Sequence, residues 1–143
     1  MQPQAFYRAV ADDFTAVDEI IKQQLTSRAP PVSKIGASIT SAGGTPLRPL
    51  LVLLSGKALG YAEGDLRLLA ATIEFLHTAT LLHDDVVDMS GMRRGRSTAN
   101  AMWGNAPSVL VGDFLYSRSF EMMVQLGSMP VMQILSHATR VIA

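Results

Sequence analysis

Apolar residues recur at helical spacing through most of this chain. Between Ala5 and Leu25, Phe6, Val10, Phe14, Val17, Ile20 and Ile21 fall on one face. That spacing predicts an amphipathic helix, ended by Arg28-Ala29-Pro30-Pro31. The Gly/Ser/Thr-rich stretch GASITSAGGTP then predicts a connection into a second helix, from about Pro46 to Leu59. Thr45 suits its N-cap, Pro46 its first helical position and Gly60 its stop. A third helix is predicted from an Asp65 N-cap to about Asp88. It is apolar nearly all round until its last turns, the mark of a central, buried helix. MSGMRRGRST is predicted to be a loop broken by Gly91 and Gly95. Further helices are predicted from about Pro107 to Leu126 and from Ser128-Met129-Pro130 onward. The last carries no stop signal at HATRVIA and is expected to continue past Ala143. No run alternates as a strand would, so the expected fold class is an all-α bundle in a single domain spanning residues 1–143.

Composition narrows the function classes. At 143 residues the chain suits one domain, which would bury ~70% of its extended surface. It has no cysteine, which excludes a disulfide framework and a zinc–thiolate site. Twelve basic and twelve acidic residues cancel, so broad electrostatic binding to nucleic acid is not expected. The N-terminus lacks a signal pattern, and no window approaches the roughly 18 apolar residues of a membrane span. A cytoplasmic location is the expectation.

The chemistry concentrates at the end of the third helix, in LLHDDVVDMSGMRRGRSTAN. On a helix Asp84 and Asp88 stand one turn apart on one face, with Asp85 about 100° round. Like charges at that spacing repel, and the helix C-terminus disfavours anions further. A bound divalent cation removes both penalties. Oxygen ligands select a hard ion, and Mg²⁺ habitually takes one or two carboxylates together with water and phosphate oxygens. Arg93, Arg94 and Arg96 follow, and guanidinium forks complement phosphate. The pattern therefore points to a diphosphate held between Mg²⁺ and arginines. A run of charges is ordinarily a solvated helix end, but these aspartates terminate the most apolar helix of the chain. His77 lies two turns before Asp84 on the same face and is placed to donate to the same ligand or to a neighbouring one. His83-Asp84 also fits the metal-dependent HD phosphohydrolases, but that reading leaves the arginines unexplained.

These residues resemble the trans-isoprenyl diphosphate synthases. LLHDDVVDMSGMRRGRSTAN is similar to their first aspartate-rich region, DDxxD followed by an arginine pair. GGTPLRPLLVLL resembles their GGKRxRP motif. IEFLHTATLLHDD and GNAPSVLVGDFLYSRSFEMM are also similar to the family, most of all to its bacterial octaprenyl diphosphate synthases. The resemblance covers nearly the whole chain but only the family's N-terminal half. It implies an all-α fold around a deep central cavity and Mg²⁺-dependent transfer of an allylic prenyl group to isopentenyl diphosphate. It further implies that Asp84 and Asp88 bind Mg²⁺ with Asp85 in support, and that Arg93 contacts the allylic diphosphate. Arg48, His77 and Arg94 would hold isopentenyl diphosphate. Thr45 and Pro46 stand where the family has lysine and arginine, which removes two positive charges from that site.

The second aspartate-rich motif of the family is expected beyond Ala143, so these residues alone are expected to be inactive. A growing tail would run from the aspartates toward the helix N-terminus, past Thr80, Ala79 and Leu76. None is aromatic, which favours a long product such as octaprenyl diphosphate. Met122, Met123, Met129 and Met132 are expected to be plain core. A homodimer is the expected assembly at full length. Two alternatives keep the same motifs in view: a non-catalytic partner subunit, which would not need an intact DDVVD, and a terpene cyclase, which would not need Arg48, His77 and Arg94.

Overall fold

The first apolar stretch folds as two helices rather than one. A computed structural model describes residues 3–26, 29–41, 46–61 and 64–143. In it α1 (Pro3–Ala9) and α2 (Ala11–Gln24) meet at Val10. No glycine or proline marks that break. It turns Val10 into the core and sets the Tyr7 ring edge-on to Phe14, with centroids 5.1 Å apart. Phe14, Val17 and Ile21 are buried, as their spacing predicts.

Composition misleads at the next element. α3 (Pro30–Ser41) is helical where a Gly/Ser/Thr-rich connection is predicted. Pro30 opens it at a position whose missing N–H no helical bond requires. Ile35 is buried, and the lack of a side chain at Gly36 lets the helix lie against Leu25. Small residues here serve close packing rather than a turn.

α4 (Leu47–Ala58) begins one residue later than predicted. Pro46 is extended, at φ −63° and ψ 120°, and stands just outside the helix. Thr45, the predicted N-cap, lies outside the described residues. The predicted stop at Gly60 is present. Its φ is +74°, its N–H donates to Lys57 O, and the N–H of Tyr61 donates to Gly56 O. That pair of bonds is the Schellman closure, for which glycine is the least strained residue.

α5 (Asp65–Val87) is the central rod, with Gly64 rather than Asp65 at its N-cap. After it come a two-stranded hairpin, β1 (Met92–Arg93) and β2 (Arg96–Ser97), and the short α6 (Ala99–Trp103). α7 (Asn105–Leu126) starts two residues ahead of Pro107, and α8 (Met129–Ile142) starts where expected, with Ser128 as its N-cap. The core forms where α5 packs against α7, α4 and α2. Phe75, Leu53, Leu115, Met122, Met123 and Val17 are almost wholly buried there. Each contributes about 1.5–3 kcal/mol of apolar burial. Met122 and Met123 are thus core as expected, whereas Met129 is 74% exposed on α8, which buries no residue. No described helix is long and apolar enough to cross a membrane.

Candidate functional site

α5 buries Phe75, Leu76, Ala79 and Leu82 on one side and carries a polar face on another. His83, Val86 and Val87 are also open, on other sides of the helix, but Glu74, His77, Thr80, Leu81, Asp84 and Asp88 fall within about 120° of one another around its axis and none is buried. They span about 21 Å along one face, at 1.5 Å per residue. This stripe carries four of the polar groups the site needs. Of the three tail-path residues, Thr80 lies on it, with Oγ1 donating to His77 O at 2.7 Å. Ala79 is in the hydrophobic core at 1% exposure, about 140° round the axis from Asp84, and Leu76 is also buried.

The three aspartates do not act as one cluster. Asp84 and Asp88 are exposed, whereas Asp85 is 6% exposed and fully engaged. Arg93 donates from Nη2 to Asp85 Oδ1 at 2.7 Å and from Nε to Oδ2 at 3.0 Å. Any support that Asp85 gives the metal site would therefore run through Arg93. Hydrogen bonding to Asp85 is the main cause holding the Arg93 pKa above its ordinary value, with the charges of Asp85, Asp84 and Asp88 adding to it. The contacts with Asp85 use Nε and Nη2, which leaves Nη1 outside the pair.

Arg93 is held there because RRGR is a hairpin, not a loose loop. Arg93 pairs with Arg96 across a two-residue turn, Arg94-Gly95, at φ 51° and 76°. Both turn residues are left-handed, as a tight hairpin requires. The hairpin is anchored at its base. Thr98 Oγ1 donates to Ser90 O at 2.8 Å, and Asn100 Nδ2 donates to Ser90 O at 3.0 Å and to Asp85 O at 3.4 Å. The end of α5 is closed by Ser90 N–H on Asp85 O and Met89 N–H on Val86 O. This is the same Schellman geometry as at Gly60, but here Met89 occupies the left-handed position at φ 52°. Thr98 and Asn100 escape a sequence reading aimed at charges. The available signal was Thr98 as an N-cap, which its bond from Ala101 N–H confirms.

The residues assigned to isopentenyl diphosphate share one electrostatic neighbourhood. Burial first, and then the charges of Arg48, Arg94 and Arg93, lower the His77 pKa to about 4. Glu74, one turn away, is raised to about 7 by burial, against the lowering effect of Arg48 and Arg94. The charges of Arg48 and Arg94 thus act on both His77 and Glu74, the latter a residue the sequence reading did not single out. A neutral His77 among arginines can donate a hydrogen bond without carrying charge.

Among the described residues no three His, Asp or Glu side chains form a metal cage by themselves. Two exposed carboxylates one turn apart nevertheless suit a hard dication that completes its shell with water and phosphate oxygens. The donor set fits magnesium.

Comparison with known proteins follows the same lines. The family described as Polyprenyl synthetase matches residues 29–143. The chain is 52% identical over 134 residues to the octaprenyl diphosphate synthase of Escherichia coli (strain K12), covering 93% of this chain and 41% of that protein. The crystal structure of a decaprenyl diphosphate synthase from Rhodobacter capsulatus superposes with a TM-score of 0.92 at 48% identity, covering 96% of this chain and 43% of that one. A polyprenyl synthase from Caulobacter crescentus CB15, complexed with calcium and isoprenyl diphosphate, gives a TM-score of 0.90 at 43% identity. It covers 95% of this chain and 42% of that one. The chain spans about two fifths of the length of the curated relatives it matches.

Proposed function

Since the chain belongs to the polyprenyl synthetase family, we propose that it is the N-terminal part of a Mg²⁺-dependent prenyltransferase. The enzyme would join isopentenyl diphosphate to an allylic prenyl diphosphate, giving a long-chain product such as octaprenyl diphosphate. The observation that supports this reading is the polar face of α5, with Asp84 and Asp88 at its end and His77 and Glu74 two to four turns before them, where the charges of Arg48 and Arg94 act on both.

Asp84 and Asp88 would bind magnesium, which would neutralise the departing diphosphate. That the Caulobacter relative holds calcium and isoprenyl diphosphate supports a hard dication in this role. Arg93, fixed by Asp85, would present Nη1 to the allylic diphosphate. Arg48, His77 and Arg94 would hold isopentenyl diphosphate, with its double bond near the allylic carbon. Breaking the allylic C–O bond releases diphosphate. The double bond then forms the new C–C bond, and a proton is lost. Thr45 and Pro46, in place of lysine and arginine, would weaken the isopentenyl site, while the helix start at Leu47 and Arg48 still offers backbone N–H groups. Of the expected path residues Thr80, Ala79 and Leu76, Thr80 lies on the open face and lacks aromatic bulk, so it would leave the path below the aspartates open. At full length the enzyme would be a soluble homodimer.

The test is incubation of the full-length protein with Mg²⁺, a labelled allylic diphosphate and isopentenyl diphosphate. Elongated diphosphates support the proposal. Cyclic hydrocarbons would indicate a cyclase, and no turnover would indicate a partner subunit.

A further inference from the structure

His83 precedes the first aspartate and takes no part in the site above, yet its ring seats α5 on α7. A β-carbon at Gly112 would clash with the edge of the ring, with Cε1 3.2 Å away and Nε2 and Cδ2 closer still. His83 Nε2 lies 3.2 Å from Val109 O and 3.3 Å from Asp113 Oδ1. A carbonyl and an ionised carboxylate only accept, so Nε2 carries the proton and donates. Val109, Gly112 and Asp113 lie at i, i+3 and i+4 on α7, one face of that helix. The charge pair is largely solvated, with side chains 37% and 61% exposed, and contributes little. What distinguishes the contact is the ring against bare backbone. Glycine is among the poorest helix formers, so an interior glycine calls for a reason. Here the ring supplies it.

We infer that His83 is a positioning residue: it docks the aspartate-bearing turn of α5 on Gly112 of α7, and the pair sets where Asp84 presents its carboxylate. The docking stands on geometry alone, and only its consequence for Asp84 rests on the proposed function.

The experiment measures thermal midpoints of the full-length protein, free of metal and substrate, for Gly112→Ala with His83 present and with His83→Ala. With His83 present the alanine lowers the midpoint by about 2 °C or more, whereas with His83→Ala it raises the midpoint, because only the gain in helix propensity remains. The same shift in both backgrounds overturns the inference. If Gly112→Ala alone does not fold, recovery on adding His83→Ala is the expected result, and no recovery overturns it. These midpoints decide the docking whether or not the protein transfers prenyl groups. For Asp84, His83→Ala raises the Mg²⁺ concentration that half-saturates allylic diphosphate binding by about tenfold, as loss of an orienting neighbour typically does. An unchanged value overturns that consequence.

Discussion

Arg93 grips both carboxylate oxygens of Asp85, eight residues back along the chain, and so ties the β-hairpin to the end of α5. The middle aspartate of DDVVD is thereby a structural anchor, nearly buried, while its two neighbours in the motif stay open to solvent. One acidic cluster divides into two jobs because successive helical positions point 100° apart.

Asp85→Asn keeps the shape and removes the charge. A hydrogen bond to a charged group contributes roughly 1.5–3 kcal/mol, so the variant should lose about 2 kcal/mol of stability in urea denaturation. Its allylic diphosphate affinity should fall through a loosened Arg93, while its Mg²⁺ requirement shifts less than in Asp84→Asn. Equal Mg²⁺ shifts in the two variants would return Asp85 to the metal.

Met89 closes α5 in a left-handed conformation, with its side chain 87% exposed. A non-glycine residue pays roughly 1–2 kcal/mol there. Met89→Gly should therefore raise the denaturation midpoint by about 1 kcal/mol equivalent with an unchanged m-value. A lowered midpoint would show that the turn is not strained.

Glu74 and His77 make opposite contributions to stability as pH changes. Glu74 titrates near 7 when folded against an ordinary 4.5. Between those values the folded chain binds more protons, so this contribution falls as pH rises. His77 titrates near 4 against 6.5, so between those values the unfolded chain binds more protons and this contribution rises with pH. Relative to the parent chain, Glu74→Gln should gain stability progressively from pH 4.5 to 7. His77→Asn should be relatively more stable near pH 4 and lose that advantage by pH 6.5. Melting curves across this range check both signs, and parallel curves would contradict the burial of these groups.

Periodicity made the central helix legible, because a rod buried on most sides is written in nearly continuous apolar residues. It also placed Asp84, Asp88 and His77 on one face, since helical spacing fixes which residues share it, whereas Arg48 followed from the family resemblance alone. It missed α3, whose small residues look like a loop yet serve close packing against Leu25. It missed the break at Val10, which no local residue encodes and which tertiary packing imposes. The hairpin at Arg93–Arg96 is too short for strand alternation, and its left-handed Arg94 carries no compositional mark. Glu74 was invisible for another reason: an isolated acid within an apolar helix gains significance only once Arg48 and Arg94 fold beside it.

Thr80 is the tail-path residue on the open stripe, so bulk added there meets the path without overpacking the core. Thr80→Phe in the full-length protein should shorten the products by several isoprene units in a chromatographic ladder, with stability changed by under about 1 kcal/mol. Ala79→Phe, placed in a filled core, should instead cost about 1–3 kcal/mol. Wild-type product lengths from Thr80→Phe would remove it from the path.

The account rests on Asp84 and Asp88 joining a hard dication to a diphosphate, and calorimetry on the full-length protein tests this most directly. Allylic diphosphate titrated in the presence of Mg²⁺ should bind at least about tenfold more tightly than in its absence, a coupling of about 1.4 kcal/mol. That coupling should vanish in Asp84→Asn/Asp88→Asn. Equal affinity with and without Mg²⁺, or a coupling that survives the double substitution, would contradict the account.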